Sequence, residues 1–552
     1  MKTNLLTMRK SFLILLSLAF FITSCGKMKK DADLIITNAR VYTVDEDFTT
    51  ASAFAVGEGK ILAVGDSGKI LDQYDSPTIL DLGGKPVYPG FIDAHCHFYG
   101  YCLNLRQVDL VGTTSYGEII RKLKEYDQEH QAEWIVGRGW DQNDWEVKEF
   151  PTKERLDKAF PDKPVFLKRI DGHAAVVNSV ALEKAGINAT TTVEGGKVIK
   201  ADGEPTGLLI DNASGLVSRL IPEPTLEEKV VALGKGSKNC FGVGLTSIAD
   251  AGLGYGPIHL MDSLQQSGQL KMQTYVMLSP TEKNLNHYMQ QGVYRTPYMH
   301  IRSIKLFADG ALGSRGACML EPYADDPGNT GFLVTSRKEL KQYAQKAYDR
   351  NYQVNTHAIG DSANRVMLNI YGEILGGEND RRWRIEHAQV IHPDDFHLFG
   401  KYSIIPAINT THATSDMYWA DERLGNERLQ HAYAYKKLLE QNGWLPNGSD
   451  FPVENINPLY GFYAGVARKD LEGYPEGGFQ PENALTRKQA LKAMTIWAAR
   501  GMFEENQKGS IEPGKQADFV VTDHDIMQID MSRVPDVEVL RTFVQGEEVY
   551  RK

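Results

Sequence analysis

The chain has 552 residues, 42% of them hydrophobic and 24% charged, which is ordinary globular usage and excludes a disordered or fibrous protein. Its 51 glycines and 23 prolines follow no period, so collagen and solenoid repeats are excluded too. Lys+Arg of 61 against Asp+Glu of 71 gives a net charge of -10, and the absence of any dense basic run argues against nucleic acid as a partner. The length allows about three or four domain-sized units.

Residues 1–25 read as an export signal. Lys2, Arg9 and Lys10 supply the positive region, and Ser11 to Ile22 is apolar but shorter than the roughly 20 residues a membrane span needs. It ends at Ile22-Thr23-Ser24-Cys25, which resembles a bacterial lipobox; the alternative is a plain signal peptide with a chance cysteine. The lipobox reading makes the protein a lipoprotein of the bacterial cell envelope, periplasmic or surface-facing, anchored by lipid on Cys25. Lys27, Lys29 and Lys30 then form a polar tether at the anionic membrane surface. The four other cysteines, Cys96, Cys102, Cys240 and Cys318, match no zinc-ribbon spacing, and one disulfide among them stays open.

From 26 to 88 the sequence is strand-like and turn-rich, with β-prone runs at Leu34–Ile36, Ala53–Val56, Lys60–Val64 and Thr78–Leu80. Ala517–Val521 and Val544–Tyr550, within the C-terminal stretch 491–552, have the same texture. The two ends are expected to share one β-sandwich, because two separate caps would each be too small for a core. Between 89 and 490, β-prone runs alternate with helical patterns, predicting βα units and a parallel sheet. One unit is Tyr352–Thr356 followed by Asp361 as a helix cap, then Ala363, Val366, Met367, Ile370 and Ile374 at helical spacing. A (β/α)8 barrel needs about 250 residues, so an insertion is expected near 100–230, where Trp134–Trp145 and Gly195–Gly207 break the alternation.

Phe91-Ile92-Asp93-Ala94-His95-Cys96-His97 carries the strongest chemical signal. On a strand His95 and His97 share a face, about 7 Å apart, while Cys96 faces the other way. Neutral imidazoles so placed suit zinc. Taken singly, such histidines are as readily structural. Lys305, His357, His387 and Asp450 then follow in order, each where a β-run gives way to a loop, the barrel face that carries active sites.

These residues, with their surroundings, resemble the amidohydrolase superfamily, in the branch that includes N-substituted formamide deformylase. The resemblance rests on Pro89–His97, Lys305–Arg315, His357–Asp361, Glu386–Gln389, Gly448–Val453 and Gly509–Asp518, and covers nearly all of the chain after about Asp33. It implies a distorted (β/α)8 TIM barrel with the composite β-sandwich and an insertion subdomain. It further implies two divalent metal ions, of which zinc is the expected kind. His95, His97 and Asp450 would hold one ion, His357 and His387 the other, and Lys305 would bridge them as an N6-carboxylated lysine; an ordinary salt bridge from Lys305 to Asp309 is the alternative.

The implied activity is hydrolysis of a small-molecule C–N bond by a metal-bridging hydroxide, with Asp450 as general base. Candidate substrate-binding residues are His173 of Asp171-Gly172-His173, equally readable as a structural histidine, Arg315 as a carboxylate clamp or simply the partner of an acid, Trp140 and Asp141, and His412. Trp140 reads more readily as a buried loop anchor than as a pocket residue. Where relatives carry Gln-Pro, this chain has Asn409-Thr410, which puts a borrowed substrate pose in doubt. Two other readings remain at this point. A mononuclear deaminase would want a glutamate shortly after His357, where the chain has Ala-Ile-Gly-Asp361. A non-catalytic ligand-binding lipoprotein would have been expected to lose some of the six metal-site residues.

Overall fold

The computed structural model describes residues 29–552; the expected export signal and Cys25 lie outside the described residues. Lys30, read as tether, instead pairs within a short strand, Lys30–Asp31, against Tyr74–Asp75. No helix among the described residues is long and apolar enough to cross a membrane.

Seven parallel strands form the barrel wall: β1 (Phe91–Cys96), β2 (Leu245–Leu253), β3 (Gln273–Leu278), β4 (Met299–Phe307), β5 (Gln353–Ala358), β6 (Arg384–His387) and β7 (Ile405–Ala407), hydrogen-bonded in that order. Both faces of such strands are covered, so they read as nearly continuous buried runs, as in Gln353–Ala358. The gap between β7 and β1 is closed by the irregular segment 447–450. Gly448 N–H donates to Ile408 O (3.0 Å), Ala94 N–H to Asn447 O (3.2 Å) and Asp450 N–H to His95 O (2.7 Å). Asp93 ties the same seam, its carboxylate accepting from Ser449 Oγ at 2.6 Å and from the His95 amide at 3.1 Å. The expected distorted barrel is therefore present, its eighth position taken by a non-ideal strand.

Helix Asp361–Leu375 shows how the sequence sets a βα unit. Ala363, Met367, Leu368, Ile370 and Tyr371 are buried, and Gly376 ends it with a left-handed φ of 75°. The expected cap differs by one residue: Gly360 is the cap, and Asp361 opens the helix with Oδ1 accepting from the amides of Leu320 (2.8 Å) and Ser362 (2.9 Å).

The two chain ends meet in the sandwich. A four-stranded sheet (order Lys60–Gly65, Ala53–Gly57, Leu34–Thr37, Ile79–Asp81) faces a six-stranded one. In the latter, the C-terminal strands Phe519–Thr522, Val539–Val544 and Glu547–Arg551 join Pro86–Pro89, Arg40–Tyr42 and Thr50–Ala51. Phe54 meets Phe519 edge-on with ring centroids 5.0 Å apart, and Phe519 stacks on Phe543 at 4.2 Å. Val544–Tyr550 is not one run: Gln545 (φ 48°) and Gly546 (φ 77°) turn the chain into a hairpin.

Between β1 and β2 a third sheet forms, in the order Val108–Asp109, Ile135–Trp140, Val165–Arg169, Ala174–Val177, Glu204–Asp211, Gly196–Ala201. Its own apolar layer includes Leu110, Ile119, Leu123, Trp140 and Leu167. All four described cysteines are free, which closes the disulfide question for them. Cys96 faces Ala249 O, away from the two histidines that flank it in sequence.

Candidate metal centre

The histidines are fixed as much by their second nitrogens as by their positions. Glu386, on β6, accepts a short hydrogen bond from His95 Nδ1. Burial alone would raise the Glu386 pKa, but the Arg384 guanidinium and then His95 hold it down at about 2, so it can only accept. His97 Nδ1 lies 3.0 Å from the Ala251 carbonyl, which also can only accept. His387 Nδ1 lies 2.9 Å from Asn409 Oδ1, whose amide nitrogen is committed to Gly448 O at 2.9 Å. In all three rings Nδ1 therefore carries the proton and Nε2 a lone pair. Burial keeps the rings neutral, lowering His95 to about 4 and moving His97 and His387 down as well.

The lone pairs gather around Asp450. Its Oδ1 is 3.4 Å from His95 Nε2 and 3.3 Å from His97 Nε2, yet it is buried without a hydrogen bond among the described residues. His95, His387 and Asp450 can each offer an atom within 4.8 Å of the others. Lone pairs facing a carboxylate repel one another, and a divalent cation at their focus turns the repulsion into coordination. The residues present fit a divalent metal. The backbone is bent to make this set: His387 and Asp450, neither a glycine, have φ of 71° and 62°, a conformation that persists where the surrounding structure imposes it.

Lys305, on β4, is fully buried, and its Nζ sits 3.2 Å from His95 Nε2. Burial lowers its pKa to about 8. The alternative salt bridge to Asp309 is not formed, because that carboxylate accepts from the backbone amides of Cys318, Ile359 and Gly360. His357, at the end of β5, directs Nε2 to Gly310 O at 3.2 Å, which leaves Nδ1 as its free atom. Its ring centroid is 4.6 Å from that of His387. All six expected ligand residues thus converge on one end of the barrel, with the His387 ring 5.0 Å from that of His95 and 4.6 Å from that of His357.

The expected substrate residues separate into two groups. His173 and His412 line the cavity above the centre. His173 Nδ1 pairs with Asp211 at 2.6 Å, which raises its pKa against the opposing effect of burial. His412 Nε2 is buried without a hydrogen bond, 3.9 Å from Asp450 Oδ2. Asp141 also lines the cavity, bound to Arg169. Two expectations are corrected. Trp140 is fully buried in the inserted sheet's own core, Nε1 donating to Leu167 O, because a break in register between Arg138 and Trp140, at Gly139 with φ of 114°, turns it to the face opposite Arg138. Arg315, in the left-handed region at φ 58°, is turned onto Asp325 (2.8 and 3.2 Å) and does not line the cavity.

Sequence reasoning gave no supporting role to Glu386, Arg384, Asp93 or Asp211. Glu386 and Asp93 had a local signal, as acids directly before His387 and two residues before His95. The Asn409-Thr410 departure proves structural: Asn409 orients His387, and Thr410 is tied to Asn447 Oδ1 and Gly461 O.

A cavity of about 920 Å3 and an adjoining lobe of about 750 Å3 open over the centre. Both are lined by Arg138, His173, His357, His387 and Asp450.

Comparison with known proteins agrees with this geometry. The amidohydrolase family model matches residues 78–550. The protein YtcJ of Bacillus subtilis (strain 168) is 33% identical over 522 residues, 93% of this chain and 98% of its own. The N-substituted formamide deformylase of Arthrobacter pascens is 26% identical over 547 residues, 94% of this chain and 98% of its own. The crystal structure of an uncharacterized metal-dependent hydrolase from Pyrococcus horikoshii OT3 superposes with a TM-score of 0.74 at 28% identity, covering 90% of this chain and 99% of that one. A metal-dependent hydrolase by its fold and its ligand set, the chain belongs to the amidohydrolase family.

Proposed function

We propose that the enzyme hydrolyses a carbon–nitrogen bond other than a peptide bond in a small molecule, of amide, formamide, cyclic amide or carbamate type, with Asp450 as general base. The observation that carries this reading is the unbonded, buried Asp450 Oδ1 facing the lone pairs of His95 and His97. The similarity to a protein named N-substituted formamide deformylase supports the amide-type bond.

In this reading His95, His97 and Asp450 hold one divalent ion and His357 (through Nδ1) and His387 the other, with zinc the expected metal. Lys305, whose buried amine is easily made neutral, would be a further ligand once carboxylated by carbon dioxide. A divalent metal held by these residues would supply water of near-neutral pKa and Lewis-acid polarisation of the scissile carbonyl. Asp450 takes the proton of the attacking water and later delivers it to the leaving nitrogen. His173, oriented by Asp211, points its other nitrogen at the carbonyl oxygen. Deamination is less well supported, since the carboxylate of Asp361 is committed to backbone amides.

The test is a panel of N-formyl, N-acyl, cyclic amide and carbamate compounds, run on protein before and after chelation. Turnover that disappears with the metal and returns with zinc is expected. Deamination of aminopurines without amide hydrolysis would contradict the proposal. We further propose an envelope location through lipid on Cys25. A Cys25→Ser variant is expected to leave the membrane fraction, and its retention there would refute the anchor.

A further inference from the structure

Two cations in the smaller lobe have no role in the chemistry above. Arg138 and Lys168 are paired residues on the neighbouring parallel strands Ile135–Trp140 and Val165–Arg169, so their side chains leave the sheet on the same face. Both line the lobe that also contains Lys305, His357, His387 and Asp450. They converge over Gly172, where a Cβ would lie 3.4 Å from Arg138 Nη2 and 3.8 Å from Lys168 Cε. Gly172 has φ of 78°, so the turn that clears this space suits glycine.

Neither cation is neutralised. Arg138 Nη2 donates to the Ile170 carbonyl at 2.9 Å, its Nε is buried without a hydrogen bond, and Lys168 Nζ has no hydrogen bond or ion pair among the described residues. The nearby Asp171 carboxylate is taken by Arg169 Nη1 (2.7 Å) and the His173 amide (2.9 Å). Arg169 also binds Asp141. Asp141 and Asp171 are thus both paired with Arg169, and Asp211 with His173, so none of these three carboxylates forms an ion pair with Arg138 or Lys168. Half-buried like charges side by side cost stability unless something anionic comes between them.

We propose that Arg138 and Lys168 form a carboxylate-binding subsite, so that the substrate is an N-acyl-type compound bearing a carboxylate beside the bond that is cut. This rests on the hydrolase reading above and narrows it. The fork of Arg138 beside the ammonium of Lys168 on its flexible stem suits the two oxygens of a carboxylate. The subsite shares its lobe with the metal ligands, so one small molecule can reach both.

The test compares N-acetyl and N-formyl amino acids with their neutral carboxamides, on the wild type and on Lys168→Met and Arg138→Met, as purified with metal. The wild type is expected to prefer the carboxylates. Each variant should raise KM for them about tenfold to a hundredfold, with kcat little changed and the carboxamides unaffected. A second measurement needs no turnover: calorimetric titration with benzoate, whose contact with the metal is common to all three proteins. Benzoate should bind the variants at least about tenfold more weakly. Equal benzoate affinity in the wild type and both variants overturns the subsite. Hydrolysis of the carboxamides with no preference for carboxylates overturns it too and leaves the hydrolase reading standing. Weaker benzoate binding by the variants without hydrolysis of any of these compounds supports the anion subsite but overturns the N-acyl substrate class.

Discussion

Replacing Asp450 by asparagine is expected to lower kcat by about three orders of magnitude while leaving the fold intact, since general acid–base catalysis contributes roughly 10²–10⁴-fold. The substitution keeps the size of the side chain and the 2.7 Å backbone bond from residue 450 to His95 O. It removes the negative charge and the basic oxygen that take the proton. The asparagine Nδ2 can donate to the Nε2 lone pair of His95 or His97, which now face Oδ1 at 3.4 and 3.3 Å. Metal-free D450N should therefore be at least as stable as the metal-free wild type. Measured together, kcat, metal content and thermal midpoint separate lost chemistry from lost folding. A kcat within threefold of wild type, with metal retained, would remove Asp450 from the proton-transfer role.

Glu386→Ala is expected to cost about 3–5 kcal/mol of stability, because removing one partner strands a buried charge. Glu386 and Arg384 are both fully buried, and Arg384 bonds Glu386 through Nε (2.8 Å) and Nη2 (2.6 Å). Arg384 Nη1 already has no hydrogen bond, so the guanidinium has little left to satisfy it beyond Ala94 O. The same carboxylate fixes the His95 tautomer, and loss of such an orienting partner typically weakens metal binding by about 10–100-fold. Glu386→Gln keeps an acceptor for His95 Nδ1 and should lose less on both counts. Denaturant unfolding and metal titration of the two variants check this. E386A within about 1 kcal/mol of wild type would show that the pair is not holding this end of the barrel.

His95, His97, His357, His387 and Asp450 were legible as candidates because a strand has a period of two and a barrel presents its strand ends on one side. Their reading as one ligand set came from the resemblance to the amidohydrolase superfamily. Their partners were not legible, because the hydrogen bonds that fix the tautomers join residues far apart in sequence. Glu386 reaches His95 across 291 positions and Asn409 reaches His387 across 22. Arg315 and Trp140 failed for a different reason. Proximity to a motif does not give side-chain direction: a left-handed backbone at Arg315 and a break in strand register at Gly139, just before Trp140, decided it. The closing segment 447–450 was expected as the end of a β-run, but it forms no regular strand. Its place is set by long-range bonds to Asp93, His95 and Ile408.

The most direct test of the metal centre is the metal content per chain of protein purified without chelator in bicarbonate buffer, measured on the wild type and on a His95→Ala, His97→Ala double variant. The account predicts about two divalent ions per wild-type chain, as a five-residue ligand set with a shared lysine requires, and loss of at least one in the double variant. A wild type that binds no divalent ion even after reconstitution, or a double variant that binds as many ions as the wild type, would contradict it.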